Sequence, residues 1–192
     1  KDSSMVLAAK ALSEGRGDGM ISSGSTGALL ASGLFIVKRI DGIDRAALSV
    51  LYPTLSGFSL LVDGGANVDC KPEYLLQFAE MGSIYMSQVI GKDNPTVGII
   101  NIGSEEGKGN SLTKDAYKLL EASDLNFIGN VEARDLPKGQ VDILVCDGFV
   151  GNVLLKNTEG VAKFLMYTIQ SEIKKADLSK ENNCKKVIEK TI

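Results

Sequence analysis

The sequence predicts a three-layer α/β fold built on a mostly parallel β-sheet. Its strand candidates are continuous apolar runs instead of alternating ones, and helical patterns fill the gaps between several of them. This combination is typical of a sheet that helices cover on both faces. Gly, Pro, Asn or Asp ends each run, as expected where a strand gives way to a loop. In such a sheet, ligands bind beyond the carboxyl ends of the strands.

The spacing of apolar residues predicts each element in turn. Met5, Val6, Ala9 and Leu12 recur at helical spacing and stop before Gly15, which predicts the first helix. The predicted helices cover residues 3–14, 26–38, 72–90, 112–122 and 152–175. The predicted strands cover residues 20–21, 47–51, 60–62, 97–102, 127–128 and 143–146. We expect residues 1–175 to form one α/β core and residues 176–192 a charged, exposed helical tail.

Composition excludes several classes of protein. The 192 residues carry a formal net charge of -3, which argues against a broad basic surface for nucleic acid. The chain contains no histidine, so a Ser/His/Asp triad and His-ligated zinc are ruled out. Cys70, Cys146 and Cys184 show no CxxC spacing, which suits a reducing cytoplasm. No apolar run reaches the roughly 20 residues that a membrane-spanning helix needs.

The first candidate loop, residues 23–27, leads into an apolar helix. The hydroxyls of Ser25 and Thr26 and the backbone N–H groups up to Gly27 would form an anion site at the helix N-terminus. The alternative is a glycine loop that only lets the chain turn. The loop has neither the GxGxxG spacing of dinucleotide binders nor the GKS or GKT of P-loops, which disfavours NAD and ATP. We expect no cofactor.

The second candidate loop, residues 63–72, follows a strand and precedes a helix that starts at Pro72. Asp63, Asn67 and Asp69 would project into the same mouth. In the alternative, Asp69 or Cys70 caps the helix and Asn67 bonds the turn.

The third candidate loop, residues 101–110, places Lys108 between two glycines and close to Asn110. Most loop lysines are solvated charges, but one at this edge of a sheet could hold a phosphate as a point charge. Glu105 and Glu106 could bind Mg²⁺ or only contribute to solubility, and we expect no metal site.

The fourth candidate loop, residues 146–152, again joins a strand to a helix. Asn152 could cap the helix or donate its amide to a developing oxyanion. Asp147 could orient Lys108 or act as a base. Cys146 lies in an apolar strand with no histidine to activate it, which favours a small core residue over a nucleophile.

Several long motifs occur in series and closely resemble one bacterial family. They are SSGSTGALLASG, GIDRAAL, DGGANVDCKPEYLLQFAEMGSIY, NIGSEEGKGN, NFIGNVEARDL and CDGFVGNVLLKNTEG. Together they resemble the PlsX family of acyl-acyl-carrier-protein:phosphate acyltransferases, from residue 1 to about residue 165. The resemblance implies a homodimer with a fold related to phosphotransacetylases and isocitrate dehydrogenases. It also implies that the N-terminal and C-terminal parts of the family lie outside this chain.

The same resemblance implies a reaction in phospholipid synthesis. Inorganic phosphate would attack the thioester of a fatty acyl chain on acyl carrier protein and give acyl phosphate in the cytoplasm. Because phosphate is already largely a dianion near neutral pH, no histidine base is required. Lys108 and Asn152 match the proposed catalytic pair of the family. The residues expected to bind phosphate or shape the mouth are Ser25, Thr26, Gly27, Asp63, Asn67 and Asp147.

Two other functions compete with this one. The first is a phosphotransacetylase that uses a short acyl-CoA. The second is a truncated core that keeps its fold and its dimer surface as a binding module without catalysis. A dehydrogenase is weaker, since neither a glycine fingerprint nor a metal-binding aspartate cluster is evident. A lipophilic acyl product would also allow transient contact with the inner face of the membrane.

Overall fold

The computed structural model describes residues 3–175. The helices in this part are Ser4–Ser13 (α1), Thr26–Ser32 (α2), Pro72–Tyr85 (α3), Ser111–Glu121 (α4) and Gly148–Lys175 (α5). The strands are Ser49–Thr54 (β1), Gly57–Val62 (β2), Thr96–Asn101 (β3), Asn126–Glu132 (β4) and Ile143–Val145 (β5). Single π-helical turns, Gly33–Val37 and Met86–Ile90, extend α2 and α3. A 3₁₀ helix, Ala133–Lys138, follows β4.

The other predicted elements are found, several with shifted ends, and two differences are larger. The strand predicted at residues 20–21 is wrong, because this segment forms no strand and Ile21 is fully exposed. Two apolar residues between Gly19 and Ser22 are too few to pair with a neighbour. Helix α5 begins at Gly148 instead of residue 152. The helical tail predicted for residues 176–192 lies outside the described residues.

The five strands form one mixed sheet in the order β1-β2-β5-β3-β4. Strands β2, β5, β3 and β4 run parallel, and β1 pairs antiparallel with β2 across a two-residue turn between Thr54 and Gly57. The predicted mostly parallel sheet is therefore confirmed. Because four strands are parallel, their carboxyl ends meet at one edge, where the loops after β2, β5, β3 and β4 emerge.

Helices α3 and α4 cover the sheet through a continuous apolar core. Phe78 of α3 and Leu120 of α4 are completely buried together with apolar residues of β2, β3 and β5. Gly82 lets α3 approach closely, since a Cβ there would lie 2.9 Å from Cγ2 of Ile143. This packing fixes the sheet against α3 and so fixes where the loops leave it.

The described residues fall into two compact units that divide between Asn152 and Val153. The first holds the sheet, helices α1 to α4 and the first turn of α5. The second begins with the rest of α5 and exposes large apolar side chains, including those of Phe164, Met166 and Tyr167. Among residues 3–175, no helix has the length and apolar character to cross a membrane.

Asp142 joins the amino ends of β3 and β5. Its Oδ2 accepts hydrogen bonds from the Thr96 N–H and hydroxyl, both at 2.9 Å, and its Oδ1 lies 3.0 Å from the Lys92 ammonium. Burial acts to raise the pKa of Asp142, but the Thr96 and Lys92 donors outweigh it, and the pKa is lowered. A carboxylate with a lowered pKa stabilises the folded state above its ordinary pKa and loses that contribution as the pH falls.

We expect Asp142→Asn to lower the free energy of unfolding by about 1–2 kcal/mol near neutral pH, because Lys92 loses its charged partner and a Thr96 donor faces an amide. The difference from the wild type should shrink below about pH 4, where an ordinary aspartate becomes protonated. Urea unfolding of both proteins from neutral pH to below about pH 4 measures this difference in free energy. Asp115→Asn, which removes an exposed carboxylate paired with Lys118, is the control. A difference that does not change with pH would contradict the assignment.

Candidate functional site

The segments that follow β3, β4 and β5 surround a cleft of about 560 Å³ at the carboxyl edge of the sheet. Its walls come from the end of β3, the loop that follows, and the start of α5. The lining residues are Ile100, Asn101, Ile102, Gly109, Asn110, Thr113, Ala133, Cys146, Asp147 and Val150. Apolar side chains therefore line much of a cleft that also holds a carboxylate, two amides and a hydroxyl.

The carboxylate of Asp63 organises the loop after β2. Asp63 is 0% exposed, and its Oδ1 accepts the N–H groups of Leu48, Gly65 and Ala66 at 2.9–3.0 Å. Its Oδ2 accepts the N–H of Asn67 at 2.7 Å and the side-chain amide of Asn67 at 2.8 Å. Asp63 thus holds its own loop, and its carboxylate is occupied by the donors of that loop.

Asn67 forms hydrogen bonds within its own turn, as the structural alternative to a binding role predicted. Its side chain also donates to the Ala46 carbonyl oxygen at 2.8 Å, and its own carbonyl oxygen accepts the Gly148 N–H at 2.7 Å. The alternative in which Asp69 or Cys70 caps α3 is wrong. Lys71 is the N-cap and makes no side-chain capping bond, and Pro72 at the first helical position needs no N–H partner.

The start of α5 lies directly against the Asp63 loop through two glycines. A Cβ at Gly148 would lie 2.8 Å from the backbone nitrogen and oxygen of Asn67, and a Cβ at Gly151 would overlap the Asp63 carbonyl oxygen. Only glycine permits this approach of backbone to backbone. The first turn of α5 is therefore in direct backbone contact with this loop.

Asn152 follows these glycines and is exposed. A Cβ at Gly65 would lie 3.3 Å from the Asn152 Cβ and 3.4 Å from its Oδ1, so the Asn152 side chain packs beside the glycine loop. Asn152 does not cap α5, because Asp147 does so. The Asp147 Oδ1 accepts the Val150 N–H at 2.8 Å. The amide of Asn152 is therefore not tied to a helix end.

Lys108 is exposed in the loop between β3 and α4. Its side-chain stem crosses Gly103, where a Cβ would lie 3.1 Å from the Lys108 Cγ. Within residues 3–175, the Lys108 ammonium forms no ion pair, so Asp147 does not orient it in this structure. Asn110 caps α4 by accepting the Thr113 N–H at 2.9 Å.

Two asparagines that the motif analysis did not single out hold this loop. The Asn101 Nδ2 donates to the Lys108 carbonyl oxygen at 3.1 Å and to the Asn130 Oδ1 at 2.9 Å. The Asn130 Nδ2 donates to the Glu105 carbonyl oxygen at 2.7 Å. The sequence does place an asparagine near the end of each of two predicted strands. Whether the two asparagines meet, however, depends on the order of the strands in the sheet.

Both described cysteines of this region are unsuited to act as nucleophiles. Burial raises the pKa of the Cys70 thiol to about 11, and the Asp147 and Asp63 carboxylates add to the effect. Burial likewise raises the pKa of Cys146 far above its ordinary value, again with Asp147 and Asp63 adding to it. Cys146 is 3% exposed. The interpretation of Cys146 as a small core residue is confirmed.

The Ser25 loop lies at the start of α2, and Ser25, Thr26 and Gly27 are all exposed. Ser25 is the N-cap of α2 but makes no side-chain capping bond, so its hydroxyl is not tied to the helix. In the part of the chain that the structure describes, no hydrogen bond links this loop to the loops around the cleft. The same part contains no group of three or more His, Cys, Asp or Glu side chains able to hold a metal ion.

Comparison with known sequences places these features in a family. The model of the family described as "Fatty acid synthesis protein" matches residues 1–186. A phosphate acyltransferase of Clostridium botulinum (strain Loch Maree / Type A3) is 55% identical over 173 residues, which cover 90% of this chain and 52% of that protein. A phosphate acyltransferase of Bacillus pumilus (strain SAFR-032) is 58% identical over 176 residues, 89% of this chain and 53% of that protein. The chain spans about half the length of these curated relatives.

Solved structures with a similar fold have much lower sequence identity. A phosphotransacetylase from Streptococcus pyogenes superposes with a TM-score of 0.63 at 19% identity, covering 82% of this chain and 55% of that chain. A branched-chain phosphotransacylase from Enterococcus faecalis V583 gives a TM-score of 0.55 at 19% identity, covering 79% and 62%. At this identity the likeness concerns the fold, and it confirms the predicted phosphotransacetylase-like α/β class.

We expect Gly151→Ala to lower the free energy of unfolding by about 1–3 kcal/mol or more, because its Cβ would overlap the Asp63 carbonyl oxygen. Gly160→Ala is the matched control in the same helix, since a Cβ at Gly160 meets nothing within 4 Å. That control should be neutral or stabilising, as alanine favours helix. Thermal unfolding measures both, and equal midpoints would contradict the close approach of α5 to the loop.

Proposed function

Because this chain belongs to the fatty acid synthesis protein family, the PlsX family of the sequence resemblance, we propose that it forms the catalytic core of a phosphate acyltransferase. The observation that supports this most is that the Lys108 loop and the start of α5 border the same cleft. Gly109, next to Lys108, and Val150, in the same helix turn as Asn152, both line it. A cation and an amide donor near one partly apolar cleft suit a small dianion and an acyl group.

The proposed chemistry needs no general base. Inorganic phosphate loses its second proton near neutral pH, so a substantial part of it is a dianion there that can attack without a general base. One phosphate oxygen bonds to the carbonyl carbon of the thioester, and the carbonyl electron pair moves onto oxygen. Collapse of this tetrahedral intermediate breaks the carbon–sulfur bond, releases a thiolate that takes a proton from water, and leaves acyl phosphate.

Each residue of the proposed site has a role in this reaction. Lys108 holds the phosphate by charge, and the Asn152 amide donates to the oxyanion. Ser25, Thr26 and Gly27 supply further donors to phosphate in the functional assembly. Asp63, Asn67 and Asp147 shape the mouth by fixing the glycine loop and the start of α5.

The donor and the cellular setting belong to the same proposal. We propose a fatty acyl chain carried by acyl carrier protein as the donor, phospholipid synthesis as the purpose, and a cytoplasmic homodimer that transiently contacts the inner face of the membrane. The apolar lining of the cleft supports a fatty acyl group over acetate, because a longer chain buries more apolar surface there.

Lys108→Ala in the intact protein should lower kcat/KM for acyl phosphate formation by about 10²–10³-fold, the usual effect of removing a preorganised charge or donor. Asn152→Ala should lower kcat by a similar factor. Lys118→Ala is the control, as this lysine lies exposed on α4 beside Asp115. Acyl phosphate is measured by trapping with hydroxylamine. Near-normal turnover of Lys108→Ala would remove the centre of the proposed site.

Val150→Phe should narrow the cleft and lower kcat/KM for long acyl donors about tenfold more than for short ones, as changes in an apolar pocket usually do. Val153→Phe, a partly exposed position of α5 outside the lining residues, is the control. The measurement is a series of acyl-acyl-carrier-protein donors of increasing length, with acetyl-CoA alongside. Faster turnover of acetyl-CoA by the unchanged protein would instead favour a phosphotransacetylase.

A further inference from the structure

The main chain on both sides of Lys108 is held by the Asn101–Asn130 pair, and the proposed function gives this pair no role. Asn101 ends β3 and Asn130 lies in β4, so the two amides meet across neighbouring strands. One amide reaches the carbonyl oxygen of Lys108, and the other reaches the carbonyl oxygen of Glu105. The Lys108 N–H donates to the same Glu105 oxygen at 3.1 Å, which closes the loop upon itself.

The chemistry of the pair requires amides at both positions. Asn101 uses its Nδ2 for two bonds, while its Oδ1 accepts the Ile102 N–H at 2.8 Å. Asn130 is 8% exposed and uses its oxygen as acceptor and its nitrogen as donor. A carboxylate or an apolar side chain of the same size would leave the Lys108 and Glu105 carbonyl oxygens without their amide donors.

Gly109 adds an independent constraint on the same loop. Its φ of +96° favours glycine, and a Cβ there would lie 2.5 Å from the Asn101 Oδ1. The chain therefore passes directly over the Asn101 amide just after Lys108. The Lys108 backbone is set by Asn101, while its side chain stays free to reach a ligand.

We propose that Asn101 and Asn130 are positioning residues, which act on catalysis by fixing the backbone that carries Lys108. This inference rests on the proposed role of Lys108 in holding phosphate. A displacement of about 1 Å at a catalytic group can cost about 10²-fold in rate. Loss of the pair should therefore reduce turnover through the misplacement of Lys108, although Asn101 itself also lines the cleft.

The test compares Asn101→Asp with Asn126→Asp in the intact protein. Asn126 lies on β4 as well, and its amide donates to the Asn94 carbonyl oxygen at 3.0 Å, at the opposite end of the strand. Both variants exchange an amide for a carboxylate and lose an amide-to-carbonyl bond. Asn101→Asp should lower kcat/KM about 10²-fold, whereas Asn126→Asp should stay close to the wild type.

A double-mutant cycle separates positioning from general damage. In the Lys108→Ala background, Asn101→Asp should cause no further loss, because the group it positions is already gone. Hydrogen exchange of residues 102–110 should be faster in Asn101→Asp than in Asn126→Asp. Activity of Asn101→Asp equal to that of the control would overturn the inference, and so would the same fold-loss with and without Lys108.

The outcomes also distinguish this inference from the proposed function. Near-normal turnover of the Lys108→Ala variant would contradict the proposed function itself. A strongly impaired Lys108→Ala beside a fully active Asn101→Asp leaves the function and overturns only the positioning role. Should Asn101→Asp fail to fold, Asn130→Asp takes its place with the same outcomes, since it keeps an acceptor for Asn101 and loses only the bond to Glu105.

Discussion

The buried carboxylate of Asp63 is the interaction on which the arrangement of the site depends. Five N–H donors converge on its two oxygens, and four of them come from the glycine loop that follows it. A buried charge is stable only when it is paired or fully hydrogen-bonded, so the loop has little freedom to take another path. The start of α5 and the Asn152 side chain both rest on that loop.

At this edge, apolar packing places the strands and helix α3, whereas hydrogen bonds of polar side chains hold the loops. The strands and α3 are placed by burial of residues such as Phe78 and Ile143, which are completely inaccessible to water. The loops carry few buried apolar groups, and carboxylate and amide side chains of the strand ends hold them instead. Asp63 does this for the loop after β2, while Asn101 and Asn130 do it for the loop after β3. A rigid sheet thus supports polar loops through short-range bonds.

The sequence predicted what depends on local pattern and missed what depends on strand order. Buried apolar runs such as residues 143–145 predicted the positions of the strands. The glycine-containing segments that follow these runs predicted the candidate loops of the site. The short run at residues 20–21 failed because two apolar residues do not define a strand. The roles of Asn101 and Asn130 could not be predicted, because 29 residues separate them and only the β3–β4 pairing brings them together. Asp147 caps α5, and Asn152 does not, because the helix starts four residues earlier than the sequence predicted.

The raised pKa of Cys146 has a consequence for the proposed transfer of activated acyl groups. A thiolate in the wall of such a cleft would exchange with an acyl thioester and retain the acyl chain on the protein. In the proposed reaction, a Cys146 sulfur that burial keeps protonated would not compete with the incoming nucleophile for the acyl group. Burial and the neighbouring Asp147 and Asp63 carboxylates would thus suppress self-acylation without excluding sulfur from the wall.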